Sequence, residues 1–132
     1  MTGDEGGSHV TVAVCSRRTD KGYVVTSFEE STLAVIATIP EKRVWRVISL
    51  VSTGPRPNLD KAAKLRDESP TVAITSAIGP YSLVSLSAKG VEVRLVDDGT
   101  TVENALQLYT DNKTRLACNV INVIQPRENE AC

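Results

Sequence analysis

The spacing between strand-like segments constrains this chain more than any other feature. In the first half, the β-branched residues 32–39 are separated from the alternating residues 43–52 by little more than the polar pair 41–42. A connection this short predicts an antiparallel hairpin. In the second half, helix-length segments separate the strand-like residues 70–75 and 91–96, so these strands should be joined by right-handed parallel crossovers.

Local signals complete the expected order of elements. An opening strand over residues 10–15 is followed by a polar turn over residues 17–22. Asn58 is a candidate N-cap for the first helix, Pro80 suits the first turn of the second, and Thr100 or Thr101 can cap the third. The fold class that follows is α/β, with a mixed five-stranded sheet (N-terminal antiparallel hairpin, then parallel β-α-β-α) and helices packed on it.

Alternation along residues 43–52 predicts which side chains share a face of the sheet. It places Val44, Arg46 and Ile48 on one face, and Trp45 and Val47 on the other.

Length and charge exclude several classes of protein. A chain of 132 residues fits one ordinary domain. Its net charge of −1 removes the electrostatic basis for nonspecific nucleic-acid binding, so no nucleic-acid partner is expected. No apolar run approaches the roughly 20 residues that span a bilayer, so no membrane is expected either.

Three regions differ in composition. Residues 1–8 are acidic and Gly-rich and are expected to form a disordered leader without a secretory signal. Residues 9–112 carry the single α/β domain, and residues 113–132 form a C-terminal extension with a charged tail. Within that extension, residues 114–125 are β-rich and can add an edge strand or pair with another copy as a homodimer. The odd, widely spaced set of three cysteines fits a cytoplasmic protein.

The turn formed by Ser76, Ala77, Ile78, Gly79 and Pro80 is the best local candidate for a ligand site. It follows a strand and begins a helix, where free N–H groups can bind an anion. By spacing alone it is more typical of an ordinary turn.

Other charged residues offer weaker candidates. Asp97 and Asp98 could bind a divalent cation, although Asp-Asp-Gly is more typical of a turn before a capped helix. Arg17, Arg18 and Arg56 could line an anionic site, but solvated surface arginines are commoner.

No catalytic set is apparent in the sequence. The only histidine, His9, lies at the start of the first strand, and Cys15 lies at its other end. A Ser or Cys nucleophile needs a nearby base, and a two-metal nuclease needs clustered carboxylates. We therefore expect a protein that is not an enzyme. Cys15 taken alone is typical of a small buried hydrophobic residue.

Three stretches occur in the order and approximate spacing of a known family. They are residues 71–80 with Ile78-Gly79-Pro80, residues 86–93 with Lys89-Gly90-Val91, and residues 99–106 with Thr101-Val102-Glu103. With the opening strand and hairpin, residues 9–112 resemble the dinitrogenase iron-molybdenum cofactor biosynthesis family. The resemblance implies a ribonuclease H-like fold.

The resemblance also implies a function. It indicates a non-enzymatic protein that binds or carries an iron-sulfur or iron-molybdenum-type metal cofactor or precursor, with metal-cofactor biosynthesis proteins as partners. The family's His-Phe-Gly segment corresponds here to Ser27-Phe28-Glu29, without the imidazole. Cys15 is then the candidate metal ligand, and the other candidate cofactor contacts are Ser27, Phe28, Ile78, Gly79 and Pro80. If the metal site is lost, the module is instead a metal-free scaffold or a small-anion sensor.

Overall fold

The computed structural model describes residues 9–117, which form seven strands and three α-helices. The predicted leader, and the extension beyond residue 117, lie outside the described residues. The strands are β1 (Val10–Thr19), β2 (Gly22–Val25), β3 (Leu33–Ile39), β4 (Arg43–Ser49), β5 (Val72–Thr75), β6 (Glu92–Leu95) and β7 (Arg115–Leu116). The helices are α1 (Pro57–Asp67), α2 (Pro80–Ser87) and α3 (Val102–Thr110), and one 3₁₀ turn spans Phe28–Glu30.

All strands join one open mixed sheet in the order β4-β3-β1-β5-β6-β7, with β2 paired to β1. β3 and β4 form the predicted antiparallel hairpin, and β1, β5 and β6 run parallel. The α/β class and the mixed sheet are therefore confirmed. Helix α1 lies in the connection from β1 to β5 and α2 in the connection from β5 to β6, as parallel strands require, whereas α3 leads to the antiparallel β7.

The expected strand count of five is wrong, because β1 is longer than predicted. It continues through Arg17 and Arg18 to Thr19, turns at Asp20 and Lys21, and pairs with β2. The polar side chains made this part of β1 resemble a turn. Its partner strand holds them in extended form, and Arg18 lies over the ring of Tyr23 at 5.5 Å. The other additional strand, β7, pairs with β6 at the other side of the sheet, and it lies in the segment 114–125 for which an added edge strand was one of the two expectations.

Alternation along the central strands builds two cores. Val12 and Val14 of β1 face α3, whereas Ala13 and Cys15 face α1 and α2. Small side chains dominate the central strands on the α1–α2 face, which brings these helices close to the sheet. Helix α1 packs beside α2 on this face, so their first turns become neighbours. No helix within residues 9–117 has the length and apolar character needed to cross a membrane.

A bulge in β4 changes which of its side chains share a face of the sheet. The pairing with β3 shifts between Ile36 and Ala37, so that Val44 lies opposite Ala37 while Arg46 lies opposite Ile36. Because Ala37 belongs to the core facing α3, Val44 shares that face with Val47 and not the face of Arg46. The predicted alternation was wrong at Val44 for this reason.

Helix α1 begins earlier than the sequence indicated. Arg56 is its N-cap and Pro57 its first residue, so Asn58 lies inside the helix and is not the cap. Proline is favoured at this position because it has no N–H to leave unpaired. The predicted cap of α3 is confirmed at Thr101, whose hydroxyl accepts the N–H of Asn104 at 3.2 Å.

Candidate functional site

The segment after β2 crosses the carboxyl ends of the parallel strands β1 and β5. The carbonyl of Thr26 accepts hydrogen bonds from the backbone N–H of Ser76 at 3.2 Å and the hydroxyl of Thr75 at 2.9 Å. The N–H of Phe28 donates to the carbonyl of Ala77 at 2.8 Å. These bonds fasten the 3₁₀ turn to the connection that leads into α2.

This attachment places Glu29 at the start of α2. Its Oε2 accepts the N–H of Gly79 at 2.7 Å. A Cβ at Gly79 would lie 2.9 Å from the same oxygen, so the absence of a side chain permits this close approach. The predicted anion position at the Gly79 turn thus holds a carboxylate of the chain itself.

A groove of about 730 Å³ opens beside Glu29, between the first turns of α1 and α2. Its walls are mostly apolar and include Pro57, Leu59, Pro80 and Val84. Tyr81 is 84% exposed at its rim. Apolar walls with a few oriented polar groups are typical of ligand sites.

Both helices have unpaired N–H groups in their first turns, and the residues that carry these groups line the groove. Each begins with a proline, and neither N-cap residue caps its helix through a side chain. Within residues 9–117, the N–H groups of Asn58, Leu59, Tyr81 and Ser82 have no protein acceptor. These are the donors that a helix leaves free at its first turn, where the helix dipole is positive.

Two further residues, Arg56 and Ser82, add donor groups to those of the helix N-termini. Arg56, the cationic N-cap residue of α1, is among the residues that line the groove. The Ser82 residue is only 3% exposed, and its hydroxyl has no hydrogen-bond partner in the part of the chain that the structure describes. Buried hydroxyl groups normally have a partner. The groove therefore combines an apolar body with several convergent donors and one competing acceptor, Glu29.

Cys15 lies beneath this region and is fully buried. It belongs to the same core as Phe28, and the partly buried Ile78 packs against that core. Burial raises the pKa of the Cys15 thiol to about 12, although Lys61 acts in the opposite direction. A metal ligand is a thiolate, so this environment does not favour the predicted ligation. The assignment of Cys15 as a metal ligand stays a prediction.

The buried thiol has a direct experimental consequence. In a Cys118→Ser, Cys132→Ser background, Cys15 is expected to resist a thiolate-selective reagent at neutral pH until the protein is unfolded. A Cys15→Ala version of the same protein provides the blank. Rapid stoichiometric labelling of the folded protein would contradict the buried, protonated state.

Lys61 fixes the turn from the side of α1. Its ammonium donates to the carbonyl oxygens of Phe28 and Glu29, and the residue is largely buried. Burial lowers the pKa of Lys61, while the negative charge of Glu29 acts against that shift. The amine is therefore already engaged in holding the backbone that carries Glu29.

The structure distributes the predicted site residues between core and groove. Gly79 and Pro80 line the groove, whereas the Phe28 side chain is completely buried and belongs to the core. Ser27 precedes the 3₁₀ turn and is half-buried.

The weaker charged candidates have mixed outcomes. Arg56 lines the groove, but Arg17 and Arg18 pair with β2 and do not. Asp97 forms a turn in which its carbonyl accepts the N–H of Thr100 at 3.2 Å. Among residues 9–117, no group of three His, Cys, Asp or Glu side chains is placed to hold a metal ion.

Sequence reasoning missed the contacts of Glu29 and Lys61. Glu29 bonds to a residue 50 positions away, and Lys61 to residues more than 30 positions away. The one available signal for Glu29 was its position directly after Phe28, where the resembling family has glycine.

Comparisons with solved structures identify proteins with a similar fold. The apo form of the orange protein from Desulfovibrio gigas matches with a TM-score of 0.71 at 19% identity, covering 83% of this chain and 93% of that protein. This chain has the fold of the orange protein. Comparison with family models gave no match, and comparison with curated proteins gave none.

Two further structures share the fold. A Thermotoga protein, described as a candidate NifB protein of the DUF35 family, matches with a TM-score of 0.61 at 22% identity, covering 80% of this chain and 90% of that one. A candidate dinitrogenase from Methanocaldococcus jannaschii matches with a TM-score of 0.63 at 17% identity, covering 84% and 97%. Likeness to the orange protein and to these two agrees with the resemblance to the dinitrogenase cofactor family.

Proposed function

We propose that this chain is a non-enzymatic binding or carrier protein for an anionic metal–sulfur cofactor, or a precursor of one, held in the groove between α1 and α2. The observation that carries the proposal is the convergence of two proline-led helix N-termini on one apolar groove. Unpaired N–H groups and Arg56 favour a negatively charged ligand. Apolar walls favour one with a polarisable body, such as sulfide-rich iron or molybdenum species.

The donor set determines how such a group would be held. Because the described residues provide no set of metal-ligating side chains and Cys15 is buried, the groove fits a complete anion better than a bare metal ion. The N–H groups of Asn58, Leu59, Tyr81 and Ser82 would bind its outer sulfur or oxygen atoms. Arg56 would neutralise part of its charge.

Glu29 sets the conditions for binding. Its carboxylate already accepts the N–H of Gly79, so a second negative charge in the groove meets repulsion from it. A ligand must displace this carboxylate or bind beside it. We therefore expect Glu29 to limit affinity.

The alternative proposal is a metal-free scaffold or small-anion sensor. It is favoured by the lack of a metal-ligating set within residues 9–117, because no side chains there would hold the metal of a cofactor directly. Main-chain N–H groups at helix N-termini also bind oxyanions such as phosphate and sulfate. The two proposals differ in which anion binds more tightly.

Two further parts of the proposal come from the sequence. A ribonuclease H-like domain is supported by the observed order of an antiparallel three-stranded unit followed by parallel β5 and β6. A cytoplasmic location and metal-cofactor biosynthesis proteins as partners follow from the cysteine pattern and the family resemblance.

Anaerobic reconstitution tests the proposed function. The protein is incubated with iron and sulfide, or with tetrathiomolybdate, then desalted and analysed for metal and visible absorption. We expect retained metal in the native protein, reduced retention in Arg56→Ala and unchanged retention in Arg17→Ala, which removes an equal charge outside the groove.

The same variants, with a phosphate-binding measurement added, separate the alternatives. Retention of neither metal species, together with saturable phosphate binding that Arg56→Ala weakens, would overturn the metal proposal in favour of the small-anion sensor. Equal metal retention in Arg56→Ala and the native protein would show that the groove is not the site.

A further inference from the structure

The outer edge of β4 has no partner strand among the described residues and exposes apolar side chains. β4 is the terminal strand of the sheet, and no other described strand pairs with its outer side. Along it, Trp45 is 49% exposed and Val47 is 43% exposed, with Val44 similarly open. An exposed edge strand with unpaired N–H and C=O groups is a template for another β-strand, and the bulge and the two arginines of β4 restrict where that strand can pair.

The chain itself contains a suitable strand beyond the described residues. Residues 120–124 read Val-Ile-Asn-Val-Ile, a β-branched run without charge that precedes Pro126. This run follows shortly after β7, which lies at the opposite side of the sheet from β4.

The sheet offers this run little room beside β6. The register pairs Leu116 with Arg94, and the N–H of Ala117 donates to the carbonyl of Val93 at 3.0 Å. Beyond Leu116, this register leaves only Val93 and Glu92 of β6 before the turn at Gly90, which has a φ of +82°. Two residues of β6 are too few to pair with the five residues of the run.

The number of residues between Ala117 and the run is also too small for the run to reach β4 of its own chain. Ile121 is four residues beyond Ala117, a reach of about 14 Å in a fully extended chain. Crossing the five strand spacings between β7 and β4 takes about 24 Å. An occupant of β4 from this part of the sequence must come from another molecule.

We propose that residues 120–124 of a second copy add to the outer edge of β4, and that two copies exchange these segments reciprocally. Reciprocal exchange closes the assembly as a two-fold dimer. Direct pairing of β4 with its own copy about Arg46 would oppose two arginines, which disfavours that arrangement. The stretch that follows the run contains Arg127 and two acidic residues, Glu128 and Glu130, whose net negative charge complements the basic Lys42 and Arg43 before and at the start of β4.

Trp45 provides a reporter because it is the only tryptophan. Association should shield its indole, so its emission is expected to shift to the red on about a thousandfold dilution, in parallel with dissociation measured by analytical ultracentrifugation. Val47→Lys on the acceptor and Ile121→Lys on the donor should each raise the dimer dissociation constant about tenfold or more. Ser87→Lys adds the same charge on α2 and should leave it unchanged.

Mixing the variants tests reciprocity. Val47→Lys and Ile121→Lys together should form mixed dimers that retain one intact contact and are more stable than either variant alone. Val44→Lys serves as a second acceptor variant if Val47→Lys fails to fold by thermal melting. A monomer at every concentration would overturn the proposal, and so would a dimer that Ile121→Lys breaks while folded acceptor variants leave it intact.

Discussion

Phe28→Ala is expected to be among the most destabilising substitutions in this protein. The Phe28 side chain is fully buried in the core shared with Cys15, Leu65 and Leu83. Truncating a buried phenylalanine costs about 3–5 kcal/mol through lost burial and the cavity left behind. For a domain of this size, the melting temperature should fall by about 10–20 °C.

Matched variants separate this role from ligand contact. Phe28→Leu should recover much of the lost stability, because it refills part of the cavity. Tyr81→Ala, at the exposed rim of the groove, should change the unfolding free energy by less than about 0.5 kcal/mol. A Phe28→Ala protein as stable as the native protein, but unable to bind ligand, would show that Phe28 is a contact residue instead.

The second large effect concerns charge in the groove. Arg56→Ala is expected to weaken binding of tetrathiomolybdate about three- to tenfold at low salt, because it removes the cation that lines the groove. Glu29→Gln should have the opposite effect and strengthen binding severalfold. The glutamine oxygen can still accept the Gly79 N–H, so the turn is preserved while the repelling charge is removed.

This prediction is specific because Arg56→Ala should lower the affinity for tetrathiomolybdate, whereas Glu29→Gln should raise it. Arg17→Ala controls for net charge, since Arg17 lies on β1 outside the groove. Dissociation constants measured by isothermal titration calorimetry at two salt concentrations would show whether the effects are electrostatic. If Glu29→Gln weakened binding, Glu29 would be a supporting residue and not a competitor.

The sheet was largely predictable because its signals are local. Short and helix-length connections separated the β3–β4 hairpin from the parallel strands, and alternation predicted buried β-branched faces. The second strand, β2, was missed because Arg17 and Arg18 are held extended by pairing that no local pattern reveals. The bulge that places Val44 on the other face of the sheet could not be predicted either, because it shifts the pairing register without changing the amino-acid pattern of β4.

The site was predictable only in part, for a similar reason. The position of Gly79 at a strand end and helix start identified one wall of the groove. The other wall comes from α1, and the packing of α1 against α2 depends on small residues dispersed over several strands. Glu29 reaches Gly79 across 50 positions of sequence, so its competition for the N–H groups could be found only in three dimensions.

The most direct test of the central claim is an amide NMR titration of the full chain with tetrathiomolybdate under anaerobic conditions. We expect saturable shifts at Asn58, Leu59, Tyr81 and Ser82, with Gly79 shifting as Glu29 is displaced. Resonances of α3 should stay in place, because that helix lies on the other face of the sheet. Shifts confined to other surfaces, or none at saturating ligand, would contradict binding between α1 and α2.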